Sequence, residues 1–126
     1  DSYLGEGLTL QRSLADYLHE LLAAKGLKRA DVYRASGLNS TVVYDAFSGK
    51  SRLGRDNALM VAFGMGCSLR ETQRLLKLAG AAELYPKVRR DAIIIWCIDR
   101  GMSREACDDE LWRFGEKTLL GTCPLQ

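Results

Sequence analysis

Apolar residues in this chain recur at intervals of three and four, the spacing that lines one face of a helix, and only Ile93-Ile94-Ile95 leans towards a strand. β-Branched side chains suit a pleated surface, but a lone strand would leave its backbone donors and acceptors unpaired. Pro86 in the first turn and Gly101 just past the end are helix punctuation instead, so 86–100 is expected to be a buried helix and the chain all-α. Its 126 residues have room for one hydrophobic core, not for two of ordinary size. With 47% hydrophobic and 27% charged residues it sits near the globular average, which excludes wholesale disorder, collagen and low-complexity classes.

Seven short helices are expected. The first runs from Thr9, a cap, to Lys25, with Leu10, Leu14, Leu18, Leu21 and Leu22 on one face and Gly26 as its stop. Others cover Arg29 to Ser36, Ser40 to Phe47 and Asp56 to Met65. Ser68-Leu69-Arg70-Glu71 has the form of a capping box, in which each end satisfies an orphan backbone donor of the next helix, stopped by Gly80. The segment from Pro86 to Arg100 is followed by a last helix from Arg104, capped by Ser103, to about Gly115, and the tail from Leu119 is expected to be irregular.

Residues 29–49 form the unit with the clearest functional meaning. Two helices of about eight residues flank a tight turn at Gly37, and Val32, Leu38, Val43 and Ala46 can wedge them together, which is the arithmetic of a helix-turn-helix. Asn39 is placed to cap the second of the pair by accepting from an amide two or three residues on. An exposed helix of this kind can lie in the major groove, where base pairs display distinguishable donors and acceptors.

With Gly37 in the turn, Leu38 after it, Val43 in the following helix and Gly49 beyond, the chain resembles the Cro/repressor-type, or lambda-repressor-like, XRE family of helix-turn-helix proteins. Leu59 to Leu69 with Gly66 and the S-x-x-E box is similar to that family's fourth and fifth helices. The resemblance spans roughly Leu8 to Ala79. It implies a five-helix DNA-binding core at 1–79, with the motif at 29–49, plus a helical extension at 80–126. Two departures stand out: Tyr33 where the family has a small alanine four residues before the turn glycine, and Arg29 where a glutamine commonly starts the helix.

The resemblance further implies a transcriptional regulator of the prokaryotic or phage repressor type, bound to double-stranded DNA. Ser40, Thr41, Tyr44, Asp45 and Ser48 would then project into the groove, with Asn39 at the start of the helix. The hydroxyls of Ser40 and Thr41 suit phosphates or bases, Tyr44 the backbone, and Asp45 cytosine N4. Phosphate contacts fall to Arg29, Lys50, Arg52 and Arg55. The charge pattern agrees: the net charge of the whole chain is only +2, yet residues 25–55 hold seven basic and two acidic side chains, net +5. Neutralising phosphates supplies much of such a module's affinity.

The extension carries more apolar surface than one helix face hides, so it either wraps onto the core or forms a homodimer interface through Ile94, Trp96, Ile98, Leu111 and Trp112. Asp108-Asp109-Glu110 reads as a solvated face. A protein-interaction adaptor on the same fold is the alternative function. Nothing suggests an enzyme: the single histidine, His19, beside Glu20, is expected at the surface, and no phosphate loop follows a strand. The four cysteines, Cys67, Cys97, Cys107 and Cys123, lack metal-binding spacing and are expected as buried reduced thiols. No cofactor, metal or small-molecule site is expected. The longest apolar run, Ala92 to Ile98, is far below the ~20 residues of a membrane span. No signal-like leader opens the chain, although it begins at Asp1 rather than Met, and a cytoplasmic location is the expectation.

Overall fold

In a computed structural model that describes residues 2–124, with side chains from Leu14 onward, the chain is all-α among the described residues. The seven helices are α1 (Ser2–Lys25), α2 (Arg29–Ser36), α3 (Ser40–Ser48), α4 (Arg55–Gly64), α5 (Leu69–Leu78), α6 (Arg89–Asp99) and α7 (Arg104–Arg113). Helix α1 packs on α3 and α5, α2 on α3 and α4, and α4 on α5, while α6 and α7 pair and touch α5 and α4 respectively.

Most boundaries fall within a residue or two of the sequence pattern, the ordinary scatter of helix ends. Two differ by more. Helix α1 starts at Ser2, so Thr9 lies inside it and is not a cap. Gly5 and Gly7 lower helix propensity there without removing any backbone donor, so they do not interrupt it. Helix α6 starts at Arg89 rather than at Pro86, because Pro86 belongs to a preceding turn in which the Val88 N–H donates to the Tyr85 carbonyl at 3.0 Å. The Asp91 carboxylate accepts from the Tyr85 N–H at 2.9 Å and holds that turn against the helix.

The run Ile93-Ile94-Ile95 is helical. Its period puts Asp91, Ile94 and Ile98 on one buried face, leaves Ile93 and Ile95 half-buried and turns Trp96 outward. One apolar cluster joins both parts of the chain: Leu18, Val32, Val43, Phe47, Leu59 and Leu75 share it with Leu84, Ile94, Leu111 and Leu119.

Two reciprocal ion pairs seal the junction of α4 and α6. Arg55 and Asp56 open α4, Arg90 and Asp91 open α6, and each arginine grips the other helix's aspartate. Arg55 donates to both Asp91 oxygens at 3.1 and 2.7 Å, and Arg90 to both Asp56 oxygens at 3.0 and 3.2 Å. Such bidentate forks are the strong form of the charged hydrogen bond, and both carboxylates also sit in helix first turns, where the dipole favours negative charge. Burial works against ionising Asp91, but the Arg55 guanidinium, the Tyr85 N–H and Arg90 outweigh it and hold its carboxyl below the usual range.

The acidic run at 108–110 is not a uniformly solvated face. Asp108 is buried against Arg104 at 2.6 Å and accepts from the Leu119 N–H at 2.6 Å. The carboxylate faces inward because the buried Arg104 guanidinium and the backbone of the folded-back tail both need an acceptor.

Candidate nucleic-acid interface

Helix α3 is presented by its caps. The Asn39 Oδ1 accepts from the Thr41 N–H at 2.8 Å and the Val42 N–H at 3.4 Å, satisfying amides that no intrahelical carbonyl reaches. At the other end Gly49 takes a left-handed φ of 77° and its N–H returns to the Ala46 and Asp45 carbonyls. Val43, Ala46 and Phe47 are buried, and this anchors the inner face. Thr41, Tyr44 and Ser48 are exposed, and Ser40 and Asp45 are half-buried. The Ser48 hydroxyl donates to the Asp45 carbonyl at 3.1 Å. The outer face thus offers three hydroxyls, a phenol and one carboxylate.

Tyr33, one of the two departures from the pattern the sequence resembles, does not enter the core fully. Its ring lies edge-on to Tyr44, with centroids 6.0 Å apart and planes at 73°. Arg29 covers the Tyr44 ring at 5.1 Å and Arg34 lies 6.0 Å from the Tyr33 ring. The four side chains make a row, cation-aromatic-aromatic-cation, across α2 and α3, held by edge-to-face and cation–π attraction. Tyr44 is thereby oriented by two α2 residues. Arg34, three residues from Asp31 and bonded to it at 3.5 Å, carries no site role in the sequence reading.

The expected phosphate contacts divide. Arg29, Lys50 and Arg52 are exposed, and none joins an ion pair among the described residues. Arg55 is a correction. Besides its fork to Asp91 it donates to the Ala82 carbonyl at 2.9 Å and the Glu83 carbonyl at 3.1 Å. Its guanidinium is spent on joining α4 to the extension, so it is not free to hold a phosphate.

Behind the α2–α3 turn the chain is built for close approach. Gly37 has a φ of 81°, and a Cβ there would stand 2.9 Å from Nε and 3.1 Å from Cζ of Arg104. The turn glycine therefore admits both a left-handed backbone and a buried guanidinium from α7. The Ser36 hydroxyl donates to the Tyr33 carbonyl at 3.1 Å and accepts from the Leu38 N–H at 3.2 Å, so the fully buried hydroxyl is paired on both sides. Gly64 lets α4 meet α2, since a Cβ there would lie 2.8 Å from the Val32 carbonyl oxygen. Nothing in the sequence pattern marks Arg104 as a support for the turn, because the pairing spans 67 positions.

On the extension, Ile94, Leu111 and Ile98 are buried in the core and cannot belong to an outer interface, contrary to expectation. The helical period that hides them is the one that exposes Trp96 and, on α7, Trp112. A groove of about 500 Å³ between α6 and α7 is lined by Ile93, Trp96, Arg113 and Phe114 among others. His19 is at the surface, its Nε2 2.8 Å from the Phe47 carbonyl oxygen. Cys67, Cys97 and Cys107 are buried and Cys123 is half-buried, all as free thiols. Burial pushes the Cys67 thiol up to about 12. Among the described residues no three His, Cys, Asp or Glu side chains cluster as a metal site, and no helix is long and apolar enough to cross a membrane. Comparison with protein-family models, curated proteins and solved structures found no match.

Proposed function

We propose that this chain is a sequence-specific DNA-binding regulator of the lambda-repressor-like, XRE type, with α2 and α3 as its helix-turn-helix. One observation carries the reading. Helix α3 is capped, anchored on one face and polar on the other, and beside it stand Arg29, Lys50 and Arg52 with no carboxylate partner among the described residues. In this reading Asn39, Ser40, Thr41, Tyr44, Asp45 and Ser48 line the groove face, and the three cations hold phosphates on either side. Thr41, Tyr44 and Ser48 are exposed on it, and Asp45 selects for a cytosine amino group. A homodimer through Trp96 and Trp112 would present two α3 helices, and helix-turn-helix dimers read half-sites about one turn of DNA apart. The proposal assigns the chain no catalytic step, cofactor or metal.

The α6–α7 groove favours a second reading, an adaptor that binds protein rather than DNA, since exposed aromatics are enriched at interface cores. Selection on randomised duplex DNA at two salt concentrations separates the two. The regulator enriches a motif and loses affinity steeply with salt; no enrichment and no salt-dependent retention would replace it with the adaptor.

A further inference from the structure

The strap that follows α3 runs to Leu53, which is buried and pins it. Lys50 and Arg52 stand two positions apart on this strap, and the fold brings them to the last turn of α5, where Lys77 sits. Together they line a cavity of about 210 Å³ whose walls also include Gly49 and Gly80 and, among the described residues, no acidic side chain. At roughly 30 Å³ of liquid volume per water, that space takes a small oxyanion and several waters.

Both glycines are left-handed, with φ of 77° and 74°, and the absence of side chains keeps the mouth open. Arg52 lies over Gly80, where a Cβ would be 3.4 Å from Nη1. A helix C-terminus by itself draws cations to its free carbonyls, but α5 closes on its own backbone. Its Leu75, Leu76 and Lys77 carbonyls accept from the Ala79, Ala81 and Gly80 N–H groups. Three exposed cations thus share one opening without a counter-charge among the described residues, where an anion would offset their mutual repulsion.

We propose that this cavity seats a phosphate group, with Lys50, Arg52 and Lys77 as its ligands. The phosphate comes either from the DNA backbone or from a small phosphorylated molecule. The DNA source rests on the function proposed above; the cavity itself does not. Lys77 is the added member, 27 residues from Lys50 in sequence and joined to it only by the fold.

Full-length wild type, Lys77→Gln, Arg52→Gln and the charge-matched Lys87→Gln are titrated with a duplex pool across a salt series and, separately, with pyrophosphate by calorimetry. Circular dichroism checks that each variant is folded. Expected for a DNA phosphate is a loss of about 3- to 10-fold in affinity for Lys77→Gln and for Arg52→Gln, each with a salt slope shallower by about 0.9, and little change for Lys87→Gln. Unchanged DNA binding with Lys77-dependent pyrophosphate binding supports the cavity with a small-molecule source. Lys77-dependent pyrophosphate binding in a chain that binds no DNA sinks the DNA reading and keeps the cavity. Wild-type DNA binding with Lys77→Gln indistinguishable from Lys87→Gln in both titrations overturns the cavity and leaves the DNA reading standing. Binding of neither probe by the wild type overturns both.

Discussion

Gly64→Ala opposes two physical effects of opposite sign. In an isolated helix alanine is better than glycine by up to about 1 kcal/mol, less at a terminal position such as the last residue of α4. Here the added Cβ would lie 2.8 Å from the Val32 carbonyl oxygen and 3.1 Å from both N and Cβ of Ser36. Ordinary C···O contact begins at about 3.3–3.6 Å, so α2 and α4 must part by about half an ångström. Two of the three opposing atoms are α2 backbone and the third is a Cβ fixed by it, so no rotamer change relieves them. Overpacking of this sort costs about 1–3 kcal/mol, so the net expectation is a destabilisation of about 1–2 kcal/mol. For a chain of this size that lowers Tm by about 3–10 °C. Urea unfolding followed by tryptophan fluorescence and by circular dichroism, with coincident curves as the two-state check, measures it. If Gly64→Ala stabilises the protein, the propensity effect has won and the close α2–α4 approach described here is wrong.

Gly37→Ala and Gly26→Ala both force alanine into a left-handed backbone, at about 1–2 kcal/mol each, but only at Gly37 does the Cβ meet Arg104, so Gly37→Ala should lose more stability in urea. Equal losses would show that the guanidinium yields freely. Arg55→Met strands the buried Asp91 carboxylate and should cost about 3 kcal/mol or more by thermal unfolding, with Asp91→Leu in the same chain restoring most of it. If the double variant also keeps the salt slope of wild-type DNA binding, Arg55 is a staple and not a phosphate ligand; a shallower slope would contradict the assignment. Asp91 is held below its ordinary pKa, as is Glu71, chiefly by the Ser68 N–H and then, with burial opposing, by Lys25. Each therefore contributes its full stabilisation above an unfolded carboxylate pKa of about 4 and loses it as pH falls through the lower folded value. Tm should be flat from about pH 7 to 5 and drop below about 4, less steeply in Asp91→Asn; an identical acid limb in that variant would refute the linkage.

Local chemistry carried most of the helix pattern. Asn39, Ser68 and Ser103 are caps because a short acceptor two or three residues before an orphan amide needs no tertiary partner. The same holds for the three-and-four spacing that sorts Val43 from Tyr44, or Ile94 from Trp96. The cations and hydroxyls of the candidate interface were likewise readable as a local excess of charge and polar residues between Lys25 and Arg55.

Which of those cations is available was not readable, because that depends on partners far along the chain. Arg55 looked like Arg52 until α6 delivered Asp91 to it, and Asp108 looked like Asp109 until Arg104 turned it inward. Tyr33 stood only as a bulky ring where the resembled family has an alanine until it found the edge of Tyr44, and Lys77 had no visible tie to Lys50. By itself the sequence determined most of the caps and which face each helix buries, since these follow from interactions within a few residues, though not the starts of α1 and α6. The tertiary structure alone decided which charges are consumed in joining the helices and which are left facing solvent, because an ion pair is a property of two positions brought together and not of either one.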